Sequence, residues 1–312
     1  MPLNILSSAV NNQSPDFVSG VAALVGRPSS GKSSLVNALC GAKVSIVSPV
    51  PQTTRNAIRG IVSDSRGQIV LLDTPGYHLS EKSINLHMRS LVDGTVSEAD
   101  ALLYLIDSSR MPGDEEEAIA RLLAERALPT VVVATKCDLP SRIDAASFCA
   151  EHGLTPRAIV ETRGLDDPET ADRGASGVAA VVDAVLAILP EGPPWYPEEF
   201  YTDQDPTFRI AEIVRERAIL RTRDEVPHAI YVEVADIEET EREYRARVFL
   251  YVERESQKGI LVGRGASVVS AIRTESQRIL GELFPKPVRL SLQVKVRPKW
   301  RHNEALLKKL IR

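Results

Sequence analysis

A loop with two glycines, placed between an apolar segment and a helix-forming segment, most constrains the fold of this chain. Residues 21–25 (VAALV) predict a buried strand, residues 26–33 read GRPSSGKS, and residues 34–41 (SLVNALCG) predict a helix. Gly26 and Gly31 let the backbone wrap so that successive N–H groups point inward, and the helix N-terminus adds its positive dipole end. This order predicts a phosphate-binding loop at the edge of an α/β sheet, rather than an ordinary glycine turn before a core helix.

The side chains of this loop have expected roles. Lys32 is expected to reach the β- and γ-phosphates of a nucleotide, and the Ser33 hydroxyl is expected to ligate Mg²⁺. The predicted phosphate contacts are the residues of the loop and of the first helical turn, which are Gly26, Arg27, Pro28, Ser29, Ser30, Gly31, Lys32, Ser33 and Ser34.

A second apolar segment, residues 68–76 (QIVLLDTPG), ends in D-x-x-G. A carboxylate at this point, Asp73, can hold Mg²⁺ through water, and Gly76 can offer its N–H to a γ-phosphate. Taken alone, the four residues DTPG fit a plain turn equally well. The interpretation as a phosphate sensor therefore depends on the other motifs.

A third apolar segment, residues 131–138 (VVVATKCD), ends in T-K-x-D. The Asp138 carboxylate can accept hydrogen bonds from N1–H and the 2-amino group of guanine, a donor pair that adenine lacks. Lys136 can lie along the face of the base, beside Thr135. Three motifs in this order, each at the C-terminal end of an apolar strand, match the ligand-binding edge of a doubly wound sheet. The sequence therefore predicts a guanine-nucleotide-binding domain.

The two parts of the chain differ in charge. Residues 1–206 carry 16 Lys and Arg against 27 Asp and Glu, whereas residues 207–312 carry 22 against 15. A basic part favours an anionic partner, either nucleic acid or a membrane surface. The alternative is a solvated surface with a chance imbalance.

The remaining composition favours a reducing compartment. The three cysteines, Cys40, Cys137 and Cys149, are too few and too scattered for a disulfide framework or a zinc site. The N-terminal residues lack the basic and apolar stretches of a signal peptide, and no apolar run approaches the ~18 residues that a membrane span needs. We expect a cytoplasmic location.

Periodicity divides the chain into four parts: a flexible N-terminus at 1–17, a first domain at 18–189, a linker at 190–206 and a second domain at 207–312. Five of the 17 linker residues are proline, so the linker cannot continue a helix, and Trp195, Tyr196 and Phe200 are candidates to pack it on its neighbours. The first domain is predicted to form a mostly parallel sheet with helices on both faces. Its expected strands are at 22–25, 57–63 (an edge strand), 69–72, 102–106, 131–134 and 157–160, and its expected helices are at 33–40, 114–127, 143–152 and 178–189.

The second domain has a different order of predicted helices and strands. We predict a helix at 208–220, strands at 228–234, 244–253 and 287–297, and a solvated acidic hairpin loop at 236–243 (DIEETERE). Between the last two strands, residues 256–279 predict a short helix, a GRGA turn and a longer helix. This αββααβ order with a basic glycine turn is typical of a small α+β K-homology (KH) domain of type II, rather than of a plain αα-turn.

The KH interpretation assigns an RNA-binding loop. The small residues of the turn let single-stranded RNA backbone approach closely, while two cations supply charge and two apolar side chains line a groove for bases. These candidates are Lys258, Ile260, Gly263, Arg264, Gly265, Ala266 and Val269. We expect RNA and no DNA.

The two domains together resemble the Era family of GTPases. The resemblance rests on PQTTRN (51–56), DTPGYH (73–78), VERESQKGILVG (252–263) and the segment around Trp300, and it spans nearly the whole chain. It implies GTP binding with Mg²⁺, slow hydrolysis to GDP and phosphate, and binding of the 3′ region of 16S ribosomal RNA in 30S subunit biogenesis. For some members it implies peripheral association with the inner membrane.

The resemblance also suggests which groups are missing. Thr54 becomes the candidate switch hydroxyl on Mg²⁺, with Thr53 as the alternative. Tyr77 follows Gly76 where many GTPases carry a water-orienting glutamine, so we assign no catalytic base. Members of the family share this lack, which implies other groups or a partner in catalysis.

Further departures from the family pattern lie near the base and in the loops. Ser29 replaces an asparagine that helps hold K⁺ in related GTPases, which makes potassium activation doubtful. Glu161, Thr162 and Arg163 stand in the late base-contacting segment, and we expect base contacts from Thr162 and Arg163. Ala266 ends the RNA loop where glycine is usual, at no cost if its φ is negative and at about 1 kcal/mol if its φ is positive. These departures leave open an RNA-binding assembly scaffold with a structural, scarcely hydrolysed nucleotide.

Overall fold

The computed structural model describes residues 17–51, 53–77, 83–126, 128–165 and 176–311. The predicted flexible N-terminus lies outside this part of the chain except for its last residue. So do His78 of the DTPGYH motif and residues 166–175. Among the described residues, none of the helices combines the length and apolar character that crossing a membrane requires.

The first sheet has six strands in the order β2-β3-β1-β4-β5-β6, all parallel except β2, which pairs antiparallel with β3. Its strands are β1 (Val18–Val25), β2 (Ile58–Asp64), β3 (Gly67–Asp73), β4 (Ala101–Asp107), β5 (Thr130–Thr135) and β6 (Ala158–Glu161). The central strands β3 and β4 are buried along their whole length, because helices cover both faces. The predicted edge strand and doubly wound sheet are thereby confirmed.

Five helices of this domain divide between the two faces. They are α1 (Lys32–Cys40), α2 (Ser83–Glu98), α3 (Asp114–Arg126), α4 (Ala145–Glu151) and α5 (Val178–Leu186). The first and last pack with one face of the sheet around Leu24 and Leu103, and the other three pack with the opposite face around Tyr104 and Val132. Helix α2 was not predicted from the sequence, and α5 ends three residues before its predicted end.

The linker is held mainly by its backbone. Gln68, buried in β3, accepts from the N–H groups of Trp195 (2.7 Å) and Tyr196 (2.9 Å) and donates to the Tyr196 carbonyl (2.9 Å). The Ile61 N–H of the edge strand donates to the Tyr201 carbonyl. Trp195 and Phe200 are exposed. The expectation that these two aromatic side chains pack the linker was therefore wrong, because buried polar groups of the sheet bind its peptide groups instead.

The second domain has the predicted αββααβ order, with two further short helices, one directly before its first strand and one after its last. Its helices are α6 (Pro206–Leu220), α7 (Val226–Ala229), α8 (Glu255–Val262), α9 (Ser267–Leu283) and α10 (Glu304–Leu310), and its strands are β7 (Tyr231–Glu239), β8 (Tyr244–Val252) and β9 (Val288–Val296). Strand β8 is central, antiparallel to β7 and parallel to β9. The KH-type fold is thereby confirmed.

Two strand predictions in this domain were wrong in detail. His228, predicted to start a strand, lies in α7. The acidic segment predicted as a loop is strand up to Glu239, where Asp236 and Glu238 pair with Arg247 and Arg245 of β8 after a bulge. Opposite charges across neighbouring strands offset the low strand propensity of acidic residues.

Helix α10 packs within the chain. Leu306 and Leu307 are buried against Tyr231 and Trp300, and the Trp300 indole N–H donates to the Ala229 carbonyl (2.8 Å). The helix also contacts α2 of the first domain. The C-terminal segment therefore touches both domains.

Candidate nucleotide site and RNA-binding loop

The glycine loop leads from β1 directly into α1. Gly31 is the residue before the helix, with φ 93°, a conformation that favours glycine. Ser29 also has a positive φ, 62°, so the loop turns twice before the helix begins. A cleft of about 490 Å³ opens here, lined by the loop, by residues 46–51, 53 and 54, and by Gly76, Arg110 and Lys136. Its size is that of a small-molecule site.

Lys32 is buried and lies along the loop. Its Nζ atom donates to the carbonyls of Gly26 (2.8 Å) and Arg27 (3.0 Å). Burial lowers the pKa of Lys32 to about 8. Nearby acidic groups raise this pKa, Asp73 most of all, but their effect is smaller than that of burial. A buried ammonium with only carbonyl partners is well suited to an anionic ligand, because phosphate oxygens would restore the lost solvation.

Three oxygen-bearing side chains meet beside the loop. Ser33 Oγ lies 2.7 Å from Asp73 Oδ2 and 2.8 Å from Thr54 Oγ1. Asp73 is fully buried, which raises its pKa, and its Oδ1 accepts no hydrogen bond from the described residues. A buried carboxylate oxygen without a partner, next to two hydroxyls, fits the hard oxygen ligands that Mg²⁺ prefers.

The geometry distinguishes the two candidate threonines. The Thr53 hydroxyl is occupied locally, because its Oγ1 donates to the Val50 carbonyl (2.6 Å) and lies 2.5 Å from Ser48 Oγ. Thr54 Oγ1 instead faces Ser33. Of the two alternatives, Thr54 is the one beside the serine and the carboxylate.

The D-x-x-G segment passes close to the loop. A Cβ atom at Gly76 would lie 2.6 Å from Pro28 Cα, so only glycine fits. The next N–H, that of Tyr77, donates to the Gly26 carbonyl (3.1 Å). The Tyr77 ring is buried in the core beneath the sheet and not in the cleft. It therefore presents no group to a water molecule at the phosphates.

Lys136 is held at the wall of the cleft. It has a positive φ of 58°, and its Nζ donates to the Ser29 carbonyl (2.9 Å) and to Asp107 Oδ2 (2.8 Å). Asp107 ends β4 and is fully buried; burial alone would raise its pKa, but the hydrogen bonds from Lys136 and Ser109 lower it. The Thr135 hydroxyl donates to the Ser30 carbonyl (2.8 Å). The T-K-x-D and glycine loops are thus bonded together.

The remaining predicted base contacts are placed differently. Asp138 Oδ1 accepts from the Gly164 N–H (3.1 Å), which ties it to the late segment. Thr162 is fully buried and its hydroxyl donates to the Ala134 carbonyl, so it stabilises the backbone that directly precedes the T-K-x-D loop. Arg163 and Glu161 form an exposed ion pair of 3.0 Å with each other.

Two acidic residues at this site were not predicted as site residues. Asp107 ends an apolar strand, the same signal that identified Asp73 and Asp138. Glu116 on α3 is buried and forms an ion pair with Arg27 of the glycine loop (2.9 Å). It shares a helix face with the apolar Ile119, Ala120 and Leu123, and this pattern could have identified it. Burial raises the Glu116 pKa to about 7, although the Arg27 charge opposes the shift.

The predicted RNA-binding turn joins α8 to α9. Gly263, Gly265 and Ala266 have φ values of 73°, 59° and 61°. Ala266 is therefore in the left-handed region, the costly one of the two conformations considered from the sequence. Residues 264–266 are exposed, and the turn presents its backbone to solvent.

The other predicted RNA contacts flank this turn. Ile260 is 50% exposed and Val269 is half-buried, as expected for an accessible apolar groove. Lys258 lies 3.6 Å from Glu255, in an exposed pair that contributes little to stability. The cation therefore remains accessible to a phosphate.

Comparisons with known proteins agree with this arrangement. A family model described as 50S ribosome-binding GTPase matches residues 21–136, and one described as KH domain matches residues 225–301. The matched segments contain the glycine loop and the GRGA turn.

The relatives and solved structures cover nearly the whole chain. The GTPase Era of Treponema denticola is 46% identical over 298 residues, which cover 94% of this chain and 99% of the relative. That of Treponema pallidum (strain Nichols) is 45% identical, with 94% and 97% covered. A crystal structure of an Aquifex aeolicus Era variant bound to GDP·AlF4⁻ is 31% identical to this chain, with a TM-score of 0.84. A crystal structure of Era in complex with MgGDPNP and nucleotides 1506–1542 of 16S ribosomal RNA is 30% identical, with a TM-score of 0.83. Both matches cover 94% of this chain and 98% of the chain in the solved structure. The chain therefore belongs to the Era family of GTPases.

Proposed function

We propose that this chain is a GTP-dependent switch that hydrolyses GTP slowly and binds the 3′ region of 16S ribosomal RNA in 30S subunit biogenesis. One observation carries the proposal: Ser33 Oγ lies between the Thr54 hydroxyl and Oδ2 of the buried Asp73, whose Oδ1 has no hydrogen-bond partner among the described residues, in a chain that also presents an exposed GRGA turn. The two similar Era structures, one with GDP·AlF4⁻ and one with MgGDPNP and 16S ribosomal RNA, support it.

In the proposed site, each residue has a stated role. Lys32 binds the β- and γ-phosphates, and Ser33 and Thr54 ligate Mg²⁺ while Asp73 holds its water. Gly76 offers its N–H to the γ-phosphate. Mg²⁺, when bound, neutralises charge on the phosphate oxygens. Asp138 reads the guanine edge, with Lys136 along the base and Thr135, Thr162 and Arg163 in support.

Slow hydrolysis follows from what the site lacks. Tyr77 is buried away from the cleft, so no side chain at that position orients the attacking water. Unaided GTPases can be as slow as ~10⁻⁴ s⁻¹, and a cation supplied by a partner adds roughly 10³–10⁵-fold. We propose no catalytic base and expect activation by a partner. With serine at position 29, we expect equal rates in K⁺ and Na⁺.

The RNA site is proposed on the second domain. The exposed backbone of the GRGA turn clamps single-stranded RNA, Arg264 and Lys258 contact phosphates, and Ile260 and Val269 line the groove for bases. Cytoplasmic location and peripheral association with the inner membrane remain predictions. Burial of Leu306 and Leu307 against the chain leaves little of α10 to enter a membrane.

The deciding experiment measures affinity for an oligonucleotide from the 3′ end of 16S ribosomal RNA, first with a non-hydrolysable GTP analogue and then with GDP. We expect tighter binding with the GTP analogue, together with multiple-turnover phosphate release. The same RNA affinity with both nucleotides, together with no multiple-turnover phosphate release, would instead indicate the RNA-binding scaffold. No RNA binding in either state would contradict both functions.

Two variants separate the sites in this experiment. Lys32→Ala should abolish tight nucleotide binding and leave nucleotide-free RNA affinity intact. Arg264→Glu should weaken RNA binding and flatten its salt dependence, because fewer phosphate charges are neutralised. An unchanged RNA affinity of Arg264→Glu would remove the support for the clamp.

A further inference from the structure

The segment that carries Thr54 lies against helix α6 of the second domain. This switch segment, residues 43–51 and 53–56, contacts α6 through polar side chains that are buried: Arg209, Glu212, Arg215 and Glu216. Arg209, Glu212 and Arg215 are three residues apart and Glu216 is four residues after Glu212, so the four side chains form one stripe along the helix. A buried polar stripe is costly unless it is bonded, and its partners belong mostly to the switch segment.

The start of the switch segment is bound at two points. Glu216 Oε1 accepts from the Val47 N–H (2.8 Å) and from Lys43 Nζ (2.8 Å), and Arg209 donates to the Lys43 carbonyl (3.0 Å). Ile46 is buried in the core of the second domain. The segment is therefore anchored on α6 well before Thr54.

The residues on both sides of Thr54 are also held by the second domain. Arg215 donates to the Thr53 carbonyl (2.6 Å), while its guanidinium binds both Glu212 carboxylate oxygens (2.8 and 2.6 Å). Arg55 donates to the Ile230 carbonyl (2.8 Å) and lies over the Trp300 ring. Within the first domain, the Thr54 hydroxyl meets Ser33.

We propose that Arg215 is a positioning residue for GTP hydrolysis: from the second domain, it holds the Thr53 carbonyl and so places the Thr54 hydroxyl at the Mg²⁺ position. The inference rests on the proposed function, because it requires Thr54 to ligate Mg²⁺ when GTP is bound. The Thr53 side chain is bonded within its own turn, so its carbonyl is the group left for α6. Glu212 holds the guanidinium in a planar, two-point contact, a geometry that lysine cannot reproduce.

A positioning role predicts a loss that depends on the nucleotide. Switch threonines contact Mg²⁺ when the γ-phosphate is present and are released with GDP. If Arg215 only joined the two domains, its removal would affect both nucleotides alike. The ratio of GTP-analogue affinity to GDP affinity therefore distinguishes the two roles.

The test uses the full chain with Mg²⁺ and fluorescent derivatives of a non-hydrolysable GTP analogue and of GDP. For Arg215→Ala we expect roughly tenfold weaker binding of the GTP analogue, the factor that corresponds to about 1.4 kcal/mol, and unchanged binding of GDP. Arg215→Lys should lie between, because its ammonium can still donate to Thr53. Arg221→Ala is the matched control, since Arg221 directly follows the same helix and pairs with Glu275 of the second domain. It should bind both nucleotides as the wild type does.

The outcomes are separable. Equal losses for both nucleotides, no loss, or the same loss in Arg221→Ala would each overturn the role of Arg215. If Arg215→Ala does not fold, the affinity ratio of Arg215→Lys decides in the same way. Thr54→Ala tests the underlying assignment: if it leaves the GTP-analogue affinity unchanged, the proposed Mg²⁺ role fails and this inference fails with it. If Thr54→Ala loses affinity and the Arg215 variants do not, this inference alone fails.

Discussion

Ala266 holds a backbone conformation that an L-residue adopts only at a cost. Its φ is 61°, and it is exposed at the end of the GRGA turn. Because glycine adopts this conformation freely, Ala266→Gly should raise the free energy of unfolding by about 1 kcal/mol. Urea denaturation checks this value. The same substitution within helix α9, Ala271→Gly, should instead lower stability by about 1 kcal/mol. A loss in both variants would mean that the turn relaxes in solution.

Lys32 gives nucleotide binding a pH dependence. Its pKa in the free protein is about 8, because it is buried, whereas bound phosphates would keep it charged to higher pH. The complex therefore holds a proton that the free protein loses, and GDP affinity should be constant below pH 8 and fall as the pH rises above it, approaching tenfold per pH unit. Titrations between pH 7 and 9.5 measure this slope.

The control for this slope is Lys32→Arg. Arginine stays protonated throughout the range, so the variant should bind less tightly but show only the dependence that arises from the nucleotide itself. Identical slopes in the wild type and in Lys32→Arg would contradict the role of Lys32.

At the residue scale, the sequence identified the groups that we propose to contact the ligand, but it did not identify all of the groups that hold them in place. Lys32, Ser33 and Asp73 belong to motifs whose spacing follows from phosphate and Mg²⁺ chemistry. Asp107 and Glu116 contact the site through Lys136 and Arg27, from distant points of the chain. A sequence shows a residue's neighbours along the chain but not its partners in space, so these two were missed.

At the scale of elements, helix α6 shows what periodicity omits. The apolar spacing predicted an amphipathic helix, and Ile210, Ile213 and Val214 are indeed buried. The polar side of such a helix commonly faces solvent, yet Glu212 and Arg215 are buried against the switch segment. Hydrophobic periodicity identifies the apolar face of a helix, but it does not distinguish a solvated polar face from one bonded to another domain.

The linker gives an element-scale prediction. Gln68→Ala removes the two hydrogen bonds that the Gln68 side chain accepts from the N–H groups of Trp195 and Tyr196. It also removes the hydrogen bond that this side chain donates to the Tyr196 carbonyl. Cleavage by chymotrypsin at the aromatic residues of 190–206 should therefore become faster, and global stability should fall by about 1–2 kcal/mol. The exposed Gln293 of β9 provides the control, since Gln293→Ala should leave both quantities unchanged. Equal cleavage rates in both variants would show that other contacts hold the linker.

For the whole molecule, the order of elements was predictable because each domain has its own pattern. Continuous apolar strands indicated the parallel sheet, and the αββααβ order with a glycine turn indicated the KH domain. How the domains meet was not predictable. Arg55, Glu216 and Trp300 are far apart in the sequence, and their contacts join the two domains. Pattern analysis treats each segment by itself and carries no information on such contacts.

These contacts predict that the two domains unfold together. Ile46 of the first domain is part of the core of the second, and Glu216 and Arg215 of the second bind the backbone of the first. Unfolding either domain would leave these buried charged groups without partners. We therefore expect one calorimetric transition. Mg²⁺ with GDP at 100 times its dissociation constant should stabilise the whole transition by about 2.7 kcal/mol.

The alternative is independent unfolding, in which GDP raises the melting temperature of the first domain only. Lys32→Ala separates the effect of the ligand from that of the contacts, because it should keep the single transition and lose the shift with GDP. Hydrogen exchange adds the local view: GDP should slow exchange of the buried α6 amides as well as those of α1. Protection confined to α1 would show that the switch segment does not couple the domains, although both domains would still fold as described.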